Sequence, residues 1–199
     1  MNSHGALQLM VARTFDAVTL VDAKRYLRVD HDDEDALIES LIDAAHEMVE
    51  QEAGLVLSTS QWRVSLPYWP STGFVLRPGP TTSIASVQYL DTAHTWQTLA
   101  TSEYRYVHNA GSGLLEWTED ATLPMLSSRN SVDLVRITYH QGWLAATDIP
   151  QGLRMAVLMT VQDWYDRRGT VMTGTIVAPL PRAATALIAL NGRPRTYAP

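Results

Sequence analysis

Asp30, His31, Asp32, Asp33, Glu34 and Asp35 stand in an unbroken row between two apolar runs, in "LRVDHDDEDALIESLI". Carboxylates and an imidazole at that density suit a calcium loop, a metal centre or a pair of catalytic acids. A helix–loop–helix calcium loop counted from Asp30 places oxygens at Asp32 and Glu34. It also requires Gly at its sixth position and a bidentate Glu at its twelfth. Asp35 and Leu41 occupy those positions, so neither the sharp turn nor the last ligand is available. "HEMVE" from His46 is half of a zinc-protease helix, but Glu50 stands where the second His must be. Asp43 and His46 have the spacing of a di-metal helix motif, which needs a matching partner helix. The chain's last long helical segment carries Asp163 and Asp166 but no His. His4, His31, His46, His94, His108 and His140 are scattered. Ser112 in "AGSGLL" lacks the glycines two residues to either side that a nucleophile elbow requires. There is no phosphate-binding glycine loop and no dinucleotide fingerprint. The simpler reading of the acidic row is a helix start, with Asp32 or Asp33 as N-cap and Glu34 and Asp35 against the positive end of the helix dipole.

The elements around these residues follow from periodicity. "TLVDAKRYLRV" is a short helix capped by Thr19, with Val21, Tyr26 and Leu27 as its apolar side. A longer helix runs from Asp33 to Ala53, with Leu37, Ile38, Leu41, Ile42, Ala45, Met48, Val49 and Ala53 at three-four spacing and Gly54 as its stop. From Gln61 the texture changes to about seven short strands, ending with "SVDLVRITYH". Turn and hairpin roles account for Gly111 and Gly113. Helical period returns at Pro150, where Leu153, Ala156, Val157, Thr160, Val161, Trp164 and Tyr165 mark one face. "PRAATALIALNG" forms a last short helix, and "RPRTYAP" is a basic tail. The expected class is α+β: a small helical core of two N-terminal and one to two C-terminal helices, carrying an inserted antiparallel β domain. The expected parts are residues 1–18, helices in 19–57, the β domain in 58–149, a core helix in 150–169, and a C-terminal arm in 170–199.

Composition narrows the functions. No cysteine is present, which removes disulfides, zinc–thiolate sites and cysteine nucleophiles. No apolar run reaches the ~18 residues that span a bilayer, and the N-terminus has no basic region ahead of its apolar stretch. A soluble chain made in the cytoplasm and kept there or in something assembled there, with no membrane partner, is expected. Between Ala53 and Ile149 there are five basic residues against seven acids, a poor nucleic-acid groove despite the Trp and Tyr there. The net charge of −6 is unevenly spread. Asp22 to Glu52 holds eleven acids against Lys24, Arg25 and Arg28. Pro150 to Pro199 holds six arginines against two acids. Opposite signs at the two ends suit contact between copies or with a partner that reads one end.

"VTLVDAKRYLRVDHDDEDALIESLIDAAHEMVEQEAG" resembles the N-terminal signature of tailed-bacteriophage head–tail connector (adaptor) proteins, a family also found in gene-transfer agents. The likeness continues through "WP" at Trp69-Pro70, "LRPGPTTSIASVQYLD", "YHQGW" before "IPQGLRMAVLMTVQDWYDRRG", and "LPRAATALIALNGRPR". It rests on the order of these segments. The resemblance implies a structural, non-enzymatic subunit without cofactor or metal. Copies would form a homo-oligomeric ring, a dodecamer in known cases, between the portal and a stopper or tail-completion protein at the head–tail junction. DNA would pass through without specific binding. The C-terminal segment would dock on the portal through Arg182, Leu187, Ile188, Leu190, Arg193, Arg195 and Tyr197. Ring contacts are expected from Asp35, Glu39 and Asp43 against Arg154, Arg167 and Arg168. From the residues alone two alternatives stay open. One is a hydrolase or metal enzyme built from the scattered His, Asp and Glu. The other is a β-type binding module.

Overall fold

The structure, a computed structural model, describes residues 5–76, 79–109, 112–167 and 180–192. Its order is β1 (Ala6–Val11), α1 (Leu20–Leu27), α2 (Asp35–Ala53), β2 (Ser60–Leu66), β3 (Phe74–Leu76), β4 (Thr81–Leu90), β5 (Trp96–Thr98), β6 (Tyr104–Asn109), β7 (Ser112–Trp117), β8 (Val135–Gln141), α3 (Gln151–Arg167) and α4 (Arg182–Asn191). The class is α+β, with two antiparallel sheets and four helices. The chain divides into two compact units. One comprises Met1–Thr14 with Thr59–Gly142, and the other Phe15–Ser58 with Trp143–Pro199.

In the β unit, a five-stranded sheet has the order β1-β2-β8-β4-β5 and a three-stranded sheet the order β3-β7-β6. β8 is central: Ile137 lies opposite Val64 on one side and Val87 on the other. That position explains why Val135, Ile137 and Tyr139, which alternate along "VRITYHQ", are fully buried. On β2 Ser60, Val64 and Leu66 are buried at even spacing, as a period of two predicts. β1 is the difference from expectation. Residues 6–11 form an exposed edge strand on β2, so the N-terminal segment belongs to the β unit as far as Thr14. An edge strand exposed on every residue has no alternating burial to report, hence no period-two signal.

Two contacts join the sheets. Trp69 stacks edge-on against Trp117 of β7 at 5.5 Å and tilted against Tyr89 of β4 at 5.7 Å. Tyr106 Oη on β6 donates to the Thr81 carbonyl at 2.6 Å. The same approach explains Gly113, which lies within β7 and not in a turn. A Cβ there would stand 2.5 Å from the Tyr106 ring and 2.6 Å from the Thr81 side chain. Gly111 lies outside the described residues.

In the helical unit, α2 buries Ile38, Leu41, Ile42, Ala45, Val49 and Ala53, and α3 buries Leu153, Ala156, Val157, Thr160, Val161 and Trp164. These are the stripes that three-four spacing selects. α2 ends where Gly54 turns left-handed at φ 62°, its N–H bonding the Glu50 carbonyl. α4 packs against both longer helices through Ala184 and Ile188, fully buried or nearly so. Gly192 closes it against Ala53, with no room there for a side chain.

Candidate functional site

The acidic row has a structural use. Thr19 caps α1: its Oγ1 accepts from the Asp22 N–H at 3.1 Å while donating to the Asp22 carboxylate. α1 stops at Arg28, left-handed at φ 60°. Across the turn, Lys24 Nζ donates to Asp32 at 2.6 Å and to Asp35 at 2.7 Å. Glu34 accepts the Tyr165 hydroxyl of α3. The row therefore ties three helices together. This corrects the cap assignment, since neither Asp32 nor Asp33 caps α2. Glu34 is its N-cap without a side-chain bond, and Asp32 contributes only its carbonyl, to the Asp35 N–H. Asp32 is drawn off by the one lysine in the chain, in a bond where donor and acceptor both carry charge. Asp33 lies 3.7 Å from His31 at the surface. Among the described residues no group of three or more His, Asp or Glu is placed to hold a metal.

Hydrogen bonding from Lys24 holds the Asp32 carboxyl below its ordinary value of 3.8, and Asp32 followed by Asp35 raises Lys24 above 10.5. A depressed carboxylate stabilises the fold above 3.8, and that contribution is lost as pH falls through the depressed value. The raised lysine loses its contribution as pH rises through its folded pKa, above 10.5. The protection factor of the Asp35 amide, with the intrinsic pH dependence of exchange removed, should be high and level between those limits and fall on acidification. In Lys24→Met, exchange there should already be faster at neutral pH, with a weaker acid response. An unchanged profile would rule out the clamp.

The residues expected at ring contacts divide. Asp35 is taken by Lys24. Arg154 lies 3.6 Å from Asp22 and donates to the Ala17 carbonyl, and Arg167 pairs with Asp163 at 2.9 Å. Glu39 and Asp43 are exposed. Arg168 lies outside the described residues. The expected portal arm divides as well. Ile188 is buried and Leu187 partly buried in the unit's own core, which removes Ile188 from a docking role. Arg182 and Leu190 are exposed, Leu190 by 82%. Arg193, Arg195 and Tyr197 lie outside the described residues.

Two surfaces of the helical unit escaped the sequence reading. One is a cleft between α1 and α3, lined by Arg25, Tyr26, Arg28, Arg154 and Leu158. The other is a groove between α2 and α3, lined by Leu37, Ala44, Glu47, Met48 and Trp164. Val21, expected on the buried side of α1, is 63% exposed, while Ala23 is buried in its place. Three-four spacing placed Leu37 and Met48 on the buried side of α2. Leu37 is instead 39% exposed and Met48 half-buried, at the edge of that stripe.

A unit of four helices and a unit of two antiparallel sheets define a two-part α+β fold class. The chain belongs to the head completion protein family, whose model matches residues 17–176. Its fold is that of chains from gene transfer agent particles. It is similar to one in the "Virion of native gene transfer agent (GTA) particle", at 22% identity and TM-score 0.76, covering 95% of this chain and 96% of that one. It is likewise similar to chains in the "Neck of empty GTA particle computed with C6 symmetry" (20%, TM-score 0.75) and the "Neck of native GTA particle computed with C12 symmetry" (21%, TM-score 0.73). In both cases 96% of each chain is covered. No curated protein matches the chain.

Proposed function

We propose that this chain is the adaptor subunit of a phage-like particle. Copies close into a ring at the neck, between the portal and the stopper or tail. The observation that carries the reading is membership of the head completion family together with likeness over 96% of the chain to subunits of a neck computed with C12 symmetry. A ring needs a heterologous contact between unlike patches, and the acidic α2 and arginine-rich C-terminal segment provide opposite signs. DNA passes through the ring without being gripped, because phosphate affinity comes from Lys and Arg and this chain has one lysine and a net charge of −6. Portal docking falls to the exposed side of α4, at Arg182 and Leu190, and to the segment after Gly192 that contains Arg193, Arg195 and Tyr197.

Native mass spectrometry and negative-stain images of the chain mixed with portal test this reading. Closed rings seated on the portal are expected. A chain that stays monomeric and ignores the portal refutes it. Ending the chain at Gly192 should leave the helical circular dichroism intact and abolish portal binding. Undiminished binding would take docking away from the tail.

A further inference from the structure

The adaptor-ring reading requires two unlike patches, and the helical unit has a pair of opposite charge. On α1, Val21 and Arg25 are spaced i and i+4, which puts them on one stripe, and Arg28 follows as the left-handed residue that ends the helix. All three are exposed. Among the described residues Arg25 and Arg28 have no carboxylate within 4 Å. They open onto the cleft that Arg154 also lines, so three guanidiniums face one carboxylate, Asp22. On the other patch, Leu37, Ala44, Met48 and Trp164 leave an apolar groove between α2 and α3, with Glu47 in its wall and Glu39 further along the exposed side of α2. The linings of the two patches share no residue, as a head-to-tail contact demands.

We propose that the α1 stripe of one copy docks into the α2–α3 groove of the next, and that this is the contact closing the ring. Val21 enters the apolar floor beside Ala44 and Met48. Arg25 and Arg28 meet Glu47. The occupant is a second copy because each patch supplies what the other lacks: an exposed apolar side chain beside two unpaired cations, and an apolar slot with an acid in its wall. A phosphate backbone would use the arginines but leave Val21 and the groove unoccupied. The proposal replaces Arg154, Arg167 and Asp35 with Arg25, Arg28 and Glu47, which have no ion-pair partner among the described residues.

The absence of cysteine makes the test clean. Under conditions where the parent forms rings, alone or on the portal, a Val21→Cys/Ala44→Cys variant treated with a short bismaleimide should give a covalent ladder reaching the full ring. Each single variant should stay monomeric on a denaturing gel. No ladder from an assembled double variant would overturn the contact while leaving the ring reading standing. Linked dimers from either single variant would overturn it too, because they require a two-fold arrangement. Arg25→Glu/Arg28→Glu should cut the assembled fraction about tenfold or more, and adding Glu47→Arg should restore part of it. Intact rings that instead lose a salt-sensitive DNA complex would assign the arginines to DNA and refute the proposal. A parent that forms no ring in either setting removes the ring reading, and this contact with it.

Discussion

Ile188→Ala should lower the stability of the helical unit by about 2–5 kcal/mol, the usual range for truncating a buried branched aliphatic side chain. Ile188 is 3% exposed and belongs to the same cluster as Leu41, Ile42, Leu153 and Val157. Truncation leaves a void that α2 and α3 close only by shifting. Leu190, two residues on and 82% exposed, provides the control: Leu190→Ala should move the midpoint by ~0.5 kcal/mol or less. Urea unfolding followed at the helical dichroism band measures both. Equal effects at the two positions would show that α4 is not docked. The same packing predicts different outcomes for two truncations. Ending the chain at Gly192 keeps α4, whereas ending it at Pro181 strips Ala184 and Ile188 from the core and should leave the unit largely unfolded. Loss of portal binding in the shorter chain would then reflect lost structure and say nothing of docking.

Trp69→Ala should cost the β unit about 3–5 kcal/mol and loosen its two sheets from each other. The indole sits between Tyr89 of the five-stranded sheet and Trp117 of the three-stranded one, at 51° and 89°. Edge-to-face pairs contribute roughly 0.5–1.5 kcal/mol beyond the area they bury. Its Nε1 also donates to the Pro124 carbonyl at 2.9 Å, holding down the loop ahead of β8. Trp69→Phe keeps a ring between the sheets but withdraws that donor, so about 1–3 kcal/mol is expected from the lost bond. Denaturant unfolding read by near-ultraviolet dichroism distinguishes the two. If Phe costs as much as Ala, the hydrogen bond matters more than the ring contacts. If neither variant is destabilised, Trp69 does not bridge the sheets.

Elements with a period were legible from the residues. α2 and α3 announce themselves because a helix half-buried against others must repeat its apolar side chains every three to four positions. β2 and β8 do so because a buried pleat demands β-branched and aromatic residues. The order "AKRYLRV", acidic turn, long helix was enough to suggest the family, and Thr19 was recognisable as a cap from local chemistry alone. Composition removed cysteine chemistry outright. Other features depend on residues far apart in the chain. β1 is exposed on both faces and exists through pairing with a strand some fifty residues later, so no pattern within it could show it. Asp32 has the sequence of a cap, yet Lys24, eight residues earlier, wins its carboxylate across a turn. Ile188 reads as well for a docking arm as for a core, and only the packing of α4 on α2 and α3 separates them. Arg154 looks available for assembly until Asp22 and the Ala17 carbonyl are found beside it. Local sequence determined which segments would be helix or strand and which chemistry was ruled out. Tertiary structure decided which charges remain for a partner, because a side chain is available only if no distant residue of its own chain has folded against it.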